Sequence, residues 1–222
     1  YIEQPLIDKE EMEKRLDAAR LELLKSQINP HFLFNTLNMI GCMAKLEDAA
    51  TTEKMIYSMS NLFRYNLKTS EQFVALNQEL KVVQDYMYIQ QMRFGSRILY
   101  SCDLKVDAEQ AMIPAFTLQP VVENAVLHGI SPKRDGGKVD IYAENHGEKI
   151  TIFVVDNGNG FPKEVLKRLR DKDSTVGSEM GLRITDRRIK QYYGEDYGLE
   201  VVKSDYSGST VSITISKSLI SR

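Results

Sequence analysis

Leu16, Ala19, Leu23, Ser26, Pro30, Leu33, Leu37, Ile40 and Ala44 follow one another at alternating spacings of three and four. That period belongs to a long helix laid against other helices, and it commits the first part of the chain to a coiled coil or bundle. A second apolar strip, Leu21, Leu24, Ile28 and Phe32, gives the helix more than one partner. Glu10, Glu11, Glu13, Lys14 and Arg15 form a solvated face leading into it. Pro30 interrupts the pattern, because a proline inside a helix removes a backbone hydrogen bond and clashes with the previous turn, at a cost of about 3 kcal/mol. The reading is that Pro30 bends the helix at its neighbour His31, which lies off the stripe and carries a side chain that is both base and nucleophile near neutral pH.

A second amphipathic helix follows the start signal Thr51-Thr52, with Met55, Ile56, Met59, Leu62, Phe63 and Leu67 at helical spacing. Two such helices make a hairpin that cannot cover its own apolar faces, so a dimeric four-helix bundle is expected. A third helix is expected over 77–94, with Leu80, Val83, Met87 and Phe94 on one side. Beyond Gly95-Ser96 the texture changes. Strand-like segments at 98–104, 139–143, 150–155, 199–203 and 210–215 are separated by helical stretches near 117–128, 162–170 and 181–193. The fold class is therefore α+β, with a helical dimerisation domain over 1–96 and an α/β sandwich over 97–222.

Charge narrows the partners. Lys and Arg total 29 against 31 acidic residues, so nothing calls for nucleic acid or an anionic membrane surface. Cys42 and Cys102 are far apart and lack metal-ligand spacing, which reads as reduced core thiols in a reducing compartment. No apolar run is long enough to span a bilayer. The chain begins at Tyr1, so it is expected to be the soluble end of a longer protein.

Three signals in the second domain carry chemistry. In Leu118-Gln119-Pro120-Val121-Val122-Glu123-Asn124-Ala125-Val126-Leu127-His128-Gly129, three polar side chains, Glu123, Asn124 and His128, interrupt an apolar helix. An asparagine oxygen there is a hard neutral donor suited to Mg²⁺ and the phosphates it accompanies, or it simply edges a helix. In Val154-Val155-Asp156-Asn157-Gly158-Asn159-Gly160, an acid ends a hydrophobic strand and glycines follow. Such a carboxylate can accept a hydrogen bond from a purine amine beside closely approaching backbone, or the segment is a plain glycine-rich turn. In Gly177-Ser178-Glu179-Met180-Gly181-Leu182-Arg183, glycines precede a helix whose first amides suit phosphate, with Arg183 a charge partner. The order and spacing of the three fit one nucleotide site.

Together they resemble the N, G1 and G2 boxes of the Bergerat ATP-binding fold shared by histidine kinases, gyrase-type ATPases and Hsp90-type chaperones. Paired with Gln27-Ile28-Asn29-Pro30-His31-Phe32-Leu33-Phe34-Asn35-Thr36-Leu37-Asn38, the chain resembles the sensor histidine kinases of the LytS/YesM type from about residue 20 to 216. The resemblance implies ATP and Mg²⁺ as cofactors. It makes His31 the phosphoacceptor, Asn124 the Mg²⁺ ligand with His128 beside it, and Asp156 the adenine contact. Gly158 and Gly160 shape the pocket, Gly181, Leu182 and Arg183 face phosphate at the lid hinge, and Thr210 assists the aspartate. It also implies a homodimer, phosphotransfer to an aspartate on a response-regulator receiver domain, and a cytoplasmic core whose parent is membrane-anchored through segments outside this chain.

Three positions sharpen the reading. Many histidine kinases place an acid directly after the phosphorylated histidine, whereas this chain has Phe32, leaving Glu123 as the substitute proton acceptor. Asn35 lies one helical turn after His31, on the same face, and is assigned to dephosphorylation of the regulator or to plain surface hydrogen bonding. Glu179 replaces the usual glycine of the third box, which bears on lid closure and rate. Two other readings compete: a dimeric scaffold or phosphatase with a degenerate lid, and a gyrase- or chaperone-like ATPase that leaves the His31 motif unexplained.

Overall fold

The computed structural model describes residues 30–68, 72–104, 106, 111–170 and 180–217, which divide into two compact units at Thr69/Ser70. The stripe before Pro30, its expected bend, and the lid residues Gly177, Ser178 and Glu179 lie outside the described residues.

In the first unit, α1 (Pro30–Leu46) and α2 (Ala50–Lys68) form an antiparallel hairpin. The turn is tight, with Asp48 in the left-handed region at φ 55° and Ala49 N–H donating to Ala44 O. The face of α1 turned to α2 is Phe34, Leu37, Gly41 and Ala44. Leu37 and Ala44 were on the expected stripe; Leu33 is only half-buried and Ile40 is 43% exposed. The missing side chain at Gly41 brings α1 close to α2. A Cβ there would sit 3.4 Å from the Tyr57 ring and 3.6 Å from Ile56, which is ordinary contact. Gly41→Ala therefore fits, and removing a mid-helix glycine should stabilise the hairpin by about 0.5–1 kcal/mol; an unchanged or lowered melting temperature would contradict this.

The second unit is a five-stranded mixed sheet covered on one face by helices. Its strands are β2 (Ile98–Leu104), β4 (Gly137–His146), β5 (Lys149–Asp156), β6 (Gly198–Asp205) and β7 (Gly208–Ser216). Their order is β2-β4-β5-β7-β6, with β2 parallel to β4 and every other pairing antiparallel. Each expected strand is present within a few residues of its expected bounds. Strict alternation along β5 sends Ile150, Ile152, Val154 and Asp156 to the same inward face. Against that face pack α3 (Leu76–Phe94), α4 (Leu118–Asn124), which continues into a wider π-helical turn at Ala125–Ile130, and α6 (Met180–Tyr193). The core joins Val83, Met87, Leu118, Val122, Ile130 and Ile189 to the apolar strand residues. A short helix, α5 (Lys163–Arg170), follows β5.

Two features differ from expectation. Helix α3 belongs to the second unit, so the boundary moves from 96/97 to 69/70. The short strands β1 (Phe73–Ala75) and β3 (Met112–Pro114) pair as a two-stranded ladder that the sequence did not suggest. Cys42 is exposed rather than in a core, Cys102 is half-buried, and both are free thiols.

Candidate functional site

Strand parity builds the first element of the site. Asp156 ends β5 on its inward face, 4% exposed, and its register partner on β7 is Ser209. The Ser209 hydroxyl donates to Asp156 Oδ2, and the Gly158 amide donates to Oδ1 at 2.8 Å. Burial pushes the Asp156 carboxyl above its ordinary value, while these hydrogen bonds and Lys133 pull the other way. A buried carboxylate held in this way retains lone pairs for an amine donor from a ligand.

Backbone close approach builds the second element. A Cβ on Gly129 would lie 2.8 Å from Asp156 Oδ1, and one on Gly158 would overlap the backbone of Gly129. The two glycines let the π-helical turn settle onto the loop after β5, and Asn159 N–H donates to Gly129 O at 3.0 Å. Gly160 sits at φ +69°, where a Cβ would collide with Asp205 O. π-Helical insertions recur at functional sites because they redirect side chains out of the regular helical stripe. Here the turn presents His128 and Gly129 beside Asn124.

The result is a cavity of about 340 Å³ lined by Asn124, His128, Gly129, Asp156, Gly160 and Ser209, among others. It is large enough for an aromatic base, and its deep end offers one carboxylate and one hydroxyl. Asn124 and Asn159 both line the cavity and offer neutral amide oxygens to a metal. Among the described residues no cluster of three His, Cys, Asp or Glu side chains could cage an ion. Few neutral oxygens suit Mg²⁺, which keeps several waters and is shared with phosphates. The lining therefore fits a magnesium–nucleotide.

Not every expected residue comes to this cavity. Thr210 does not: it pairs with Val155 and lines a shallow depression with Lys138, Asp140 and Lys203, while its neighbour Ser209 contacts Asp156. One residue along a strand reverses the face. Glu123 is absent from the lining; Gln119 donates to its carboxylate at 2.8 Å. Leu182 is buried, Gly181 faces Pro120, and Arg183 donates to Arg168 O at 3.2 Å, so the described part of the third box edges a separate groove between α5, α6 and β6. In the first unit His31 is exposed at the start of α1, with Asn35 Nδ2 3.3 Å from its ring nitrogens.

A residue that the sequence did not single out holds the helix carrying Asn124. Glu79 of α3 is 1% exposed and accepts three consecutive backbone N–H groups, from Phe116 at 2.7 Å, Thr117 at 3.0 Å and Leu118 at 2.8 Å. A polar residue at the first turn of α3 reads as solvent-facing until that distant backbone is in place.

A family model described as histidine kinase matches residues 19–98. A second, described as histidine kinase-, DNA gyrase B-, and HSP90-like ATPase, matches 115–219. Sensor histidine kinase BtsS of Escherichia coli K12 is 32% identical over 206 residues, covering 93% of this chain and 35% of its own length. Sensor histidine kinase YesM of Bacillus subtilis is 34% identical over 208 residues, covering 93% and 35%. Sensor protein LytS of Bacillus subtilis is 33% identical over 207 residues, covering 91% and 34%. The chain thus spans about a third of the length of these relatives. Among solved structures, the histidine kinase domain from Erythrobacter litoralis EL346 blue-light activated histidine kinase aligns at 16% identity and a TM-score of 0.48, covering 86% of this chain and 100% of that one.

Proposed function

Because this chain belongs to the sensor histidine kinases of the LytS/YesM type, we propose that it is an ATP-dependent autokinase core that phosphorylates His31 and passes the phosphoryl group to a response regulator. The observation that carries the reading is the convergence of Asn124, Asp156 and the glycine backbone on one nucleotide-sized cavity, in a chain that also presents an exposed histidine. Asp156 and Ser209 would take the adenine amine, and Asn124 would hold Mg²⁺. The bound ion would neutralise charge on the phosphates, which is what phosphoryl transfer chiefly requires beyond positioning.

In the reaction an unprotonated ring nitrogen of His31 attacks the γ-phosphorus. The P–N bond forms as the bond to the β–γ bridging oxygen breaks, ADP leaves, and the other ring nitrogen releases its proton. Exposure of His31 lets solvent take that proton without an adjacent acid, which accounts for Phe32 at the following position. A receiver-domain aspartate then accepts the phosphoryl group. The decisive experiment is label transfer from γ-labelled ATP to wild type and to His31→Gln.

A homodimer completes the hairpin. Phe32, Met39 and Met43 of α1 and Met55 and Met59 of α2 are exposed on the isolated unit, Phe32 at 69%. Apolar exposure on this scale marks a protein interface, and a second copy would bury it in a four-helix bundle. Among the described residues no helix is long and apolar enough to cross a membrane; membrane anchoring is assigned only to segments outside this chain.

Asn35 is assigned to holding the water that dephosphorylates the regulator, a reading supported by its 3.3 Å approach to His31. Asn35→Ala should lower phosphatase activity toward a phosphorylated receiver by about tenfold or more, the scale of one positioned hydrogen bond in a transition state, with autophosphorylation within about twofold. Full phosphatase activity in the variant would remove Asn35 from this role.

A further inference from the structure

We propose that Glu79 is a positioning residue for the magnesium end of the nucleotide site: from α3 it fixes the entry of α4 and so the place of Asn124. The inference rests on the nucleotide-binding reading above, and it assigns a role to a carboxylate that touches neither ATP nor metal.

Glu79 is 1% exposed, on a helix where Leu76, Leu80, Val82 and Val83 are also buried, and a buried carboxylate is expensive unless its oxygens are hydrogen-bonded. Compensation comes from the three consecutive amides of Phe116, Thr117 and Leu118. Those of Thr117 and Leu118, at the N-cap and first residue of α4, are N–H groups that a helix start leaves without intrahelical partners, and that of Phe116 immediately precedes them. A threonine in that position usually caps its own helix, but the Thr117 hydroxyl instead donates to Pro114 O at 2.5 Å. The cap is therefore supplied from another helix.

Cap and site are mechanically joined. Asn124 lies six residues beyond Leu118 on the same helix, about 9 Å along its axis at 1.5 Å per residue, so a change of tilt at the capped end moves its oxygen. The anchored turn is also strained. Phe116 is held at φ +62°, an unusual region for a bulky side chain. Its N–H is held by Glu79, and its carbonyl accepts Arg188 Nη2 at 2.7 Å. Arg188 belongs to α6, the helix that opens with Gly181 and Leu182. One turn thus ties the helix following the hairpin to the helices bearing two of the nucleotide motifs. The ladder of β1 with β3 reinforces the tie, since Leu76 N–H donates to Ala111 O and Ala115 N–H to Gln72 O.

The test uses the full chain, a fluorescent ATP analogue, and wild type beside Glu79→Gln and Glu79→Asp. Binding is measured in Mg²⁺ and again in EDTA, with melting temperatures recorded alongside. Glutamine offers one acceptor oxygen and turns an amino group toward the amides, so Glu79→Gln should erase about tenfold of the Mg²⁺-dependent gain in affinity. Binding in EDTA should stay within about twofold, because Asp156 and Ser209 are untouched. Glu79→Asp, which keeps the charge on a shorter stem, should recover part of the gain, and it carries the test alone where the glutamine variant does not fold. Retention of the full Mg²⁺-dependent gain in the variants, or equal losses with and without Mg²⁺, overturns the proposal. Label transfer to His31 is scored separately: its absence in wild type refutes the kinase reading while the Mg²⁺ comparison still decides Glu79. A wild type whose binding ignores Mg²⁺ overturns both.

Discussion

His31→Gln loses all transfer of the γ-phosphoryl group to protein while binding ATP as wild type does. Glutamine has comparable reach but no nucleophilic nitrogen, so label incorporation should fall to background. The nucleotide-contacting residues belong to the second unit and His31 to the first, so affinity for a fluorescent ATP analogue should stay within about twofold. Wild-type label should be acid-labile and alkali-stable, as a P–N bond requires. Mixed dimers of His31→Gln with an Asp156 variant then report whether transfer runs within a subunit or between two: recovery of label means between. Labelling of His31→Gln at the wild-type level would move the acceptor elsewhere and remove the kinase mechanism proposed for this residue.

The second large effect is at the other end of the reaction. Asp156→Asn should weaken ATP binding by about 100-fold. A hydrogen bond to a charged group contributes about 1.5–3 kcal/mol, and the replacement amide also sets a donor against the donor amine of the base. Stability should move the opposite way. Burial raises the Asp156 carboxyl above its ordinary 3.8, so the folded protein binds this proton more tightly than the unfolded chain does. The carboxyl's contribution to stability is then present at low pH and is lost as pH rises through its folded-state value. Asparagine has no charge to desolvate, and it can still accept from Gly158 and pair with Ser209. Nucleotide-free Asp156→Asn should therefore melt at or above wild type at pH 7, with the gap closing as pH falls toward 4. Differential scanning calorimetry across that range, beside nucleotide titration, checks both halves. Binding within threefold of wild type would exclude Asp156 as the base-recognising group, and a melting temperature well below wild type would show a structural role instead.

Sequence reasoning succeeded where a local pattern has a single solution. Alternation along 150–155 leaves Asp156 on the inward face at the end of its strand, and the glycines after it permit the close approach of backbone seen at Gly158 and Gly160. It failed where the deciding partner is remote. The apolar stripe of α3 states that the helix buries one side, not whether a bundle or a sheet covers it, so the unit boundary was placed a helix too late. The choice between Ser209 and Thr210 turns on β7 register, set by pairing with β5 and by a bulge opposite it at Val201/Lys203. Glu79 looks like any polar residue in a first turn, and its meaning comes from amides at 116–118. The strands β1 and β3 are three residues each, too short for a period to register.

The glycine backing of the cavity also bears on how a population of such proteins could escape an inhibitor. A compound pressed against Gly129 and Gly160 meets main chain, and every other residue type adds a Cβ aimed at Asp156 Oδ1 or Asp205 O. That wall cannot be remodelled by single substitutions without losing the site. Resistance would have to arise at the rim, where Phe161, Pro162 and Val165 have side chains to exchange, so a ligand that draws its affinity from the main-chain wall and leaves the rim untouched gives selection the least to work with.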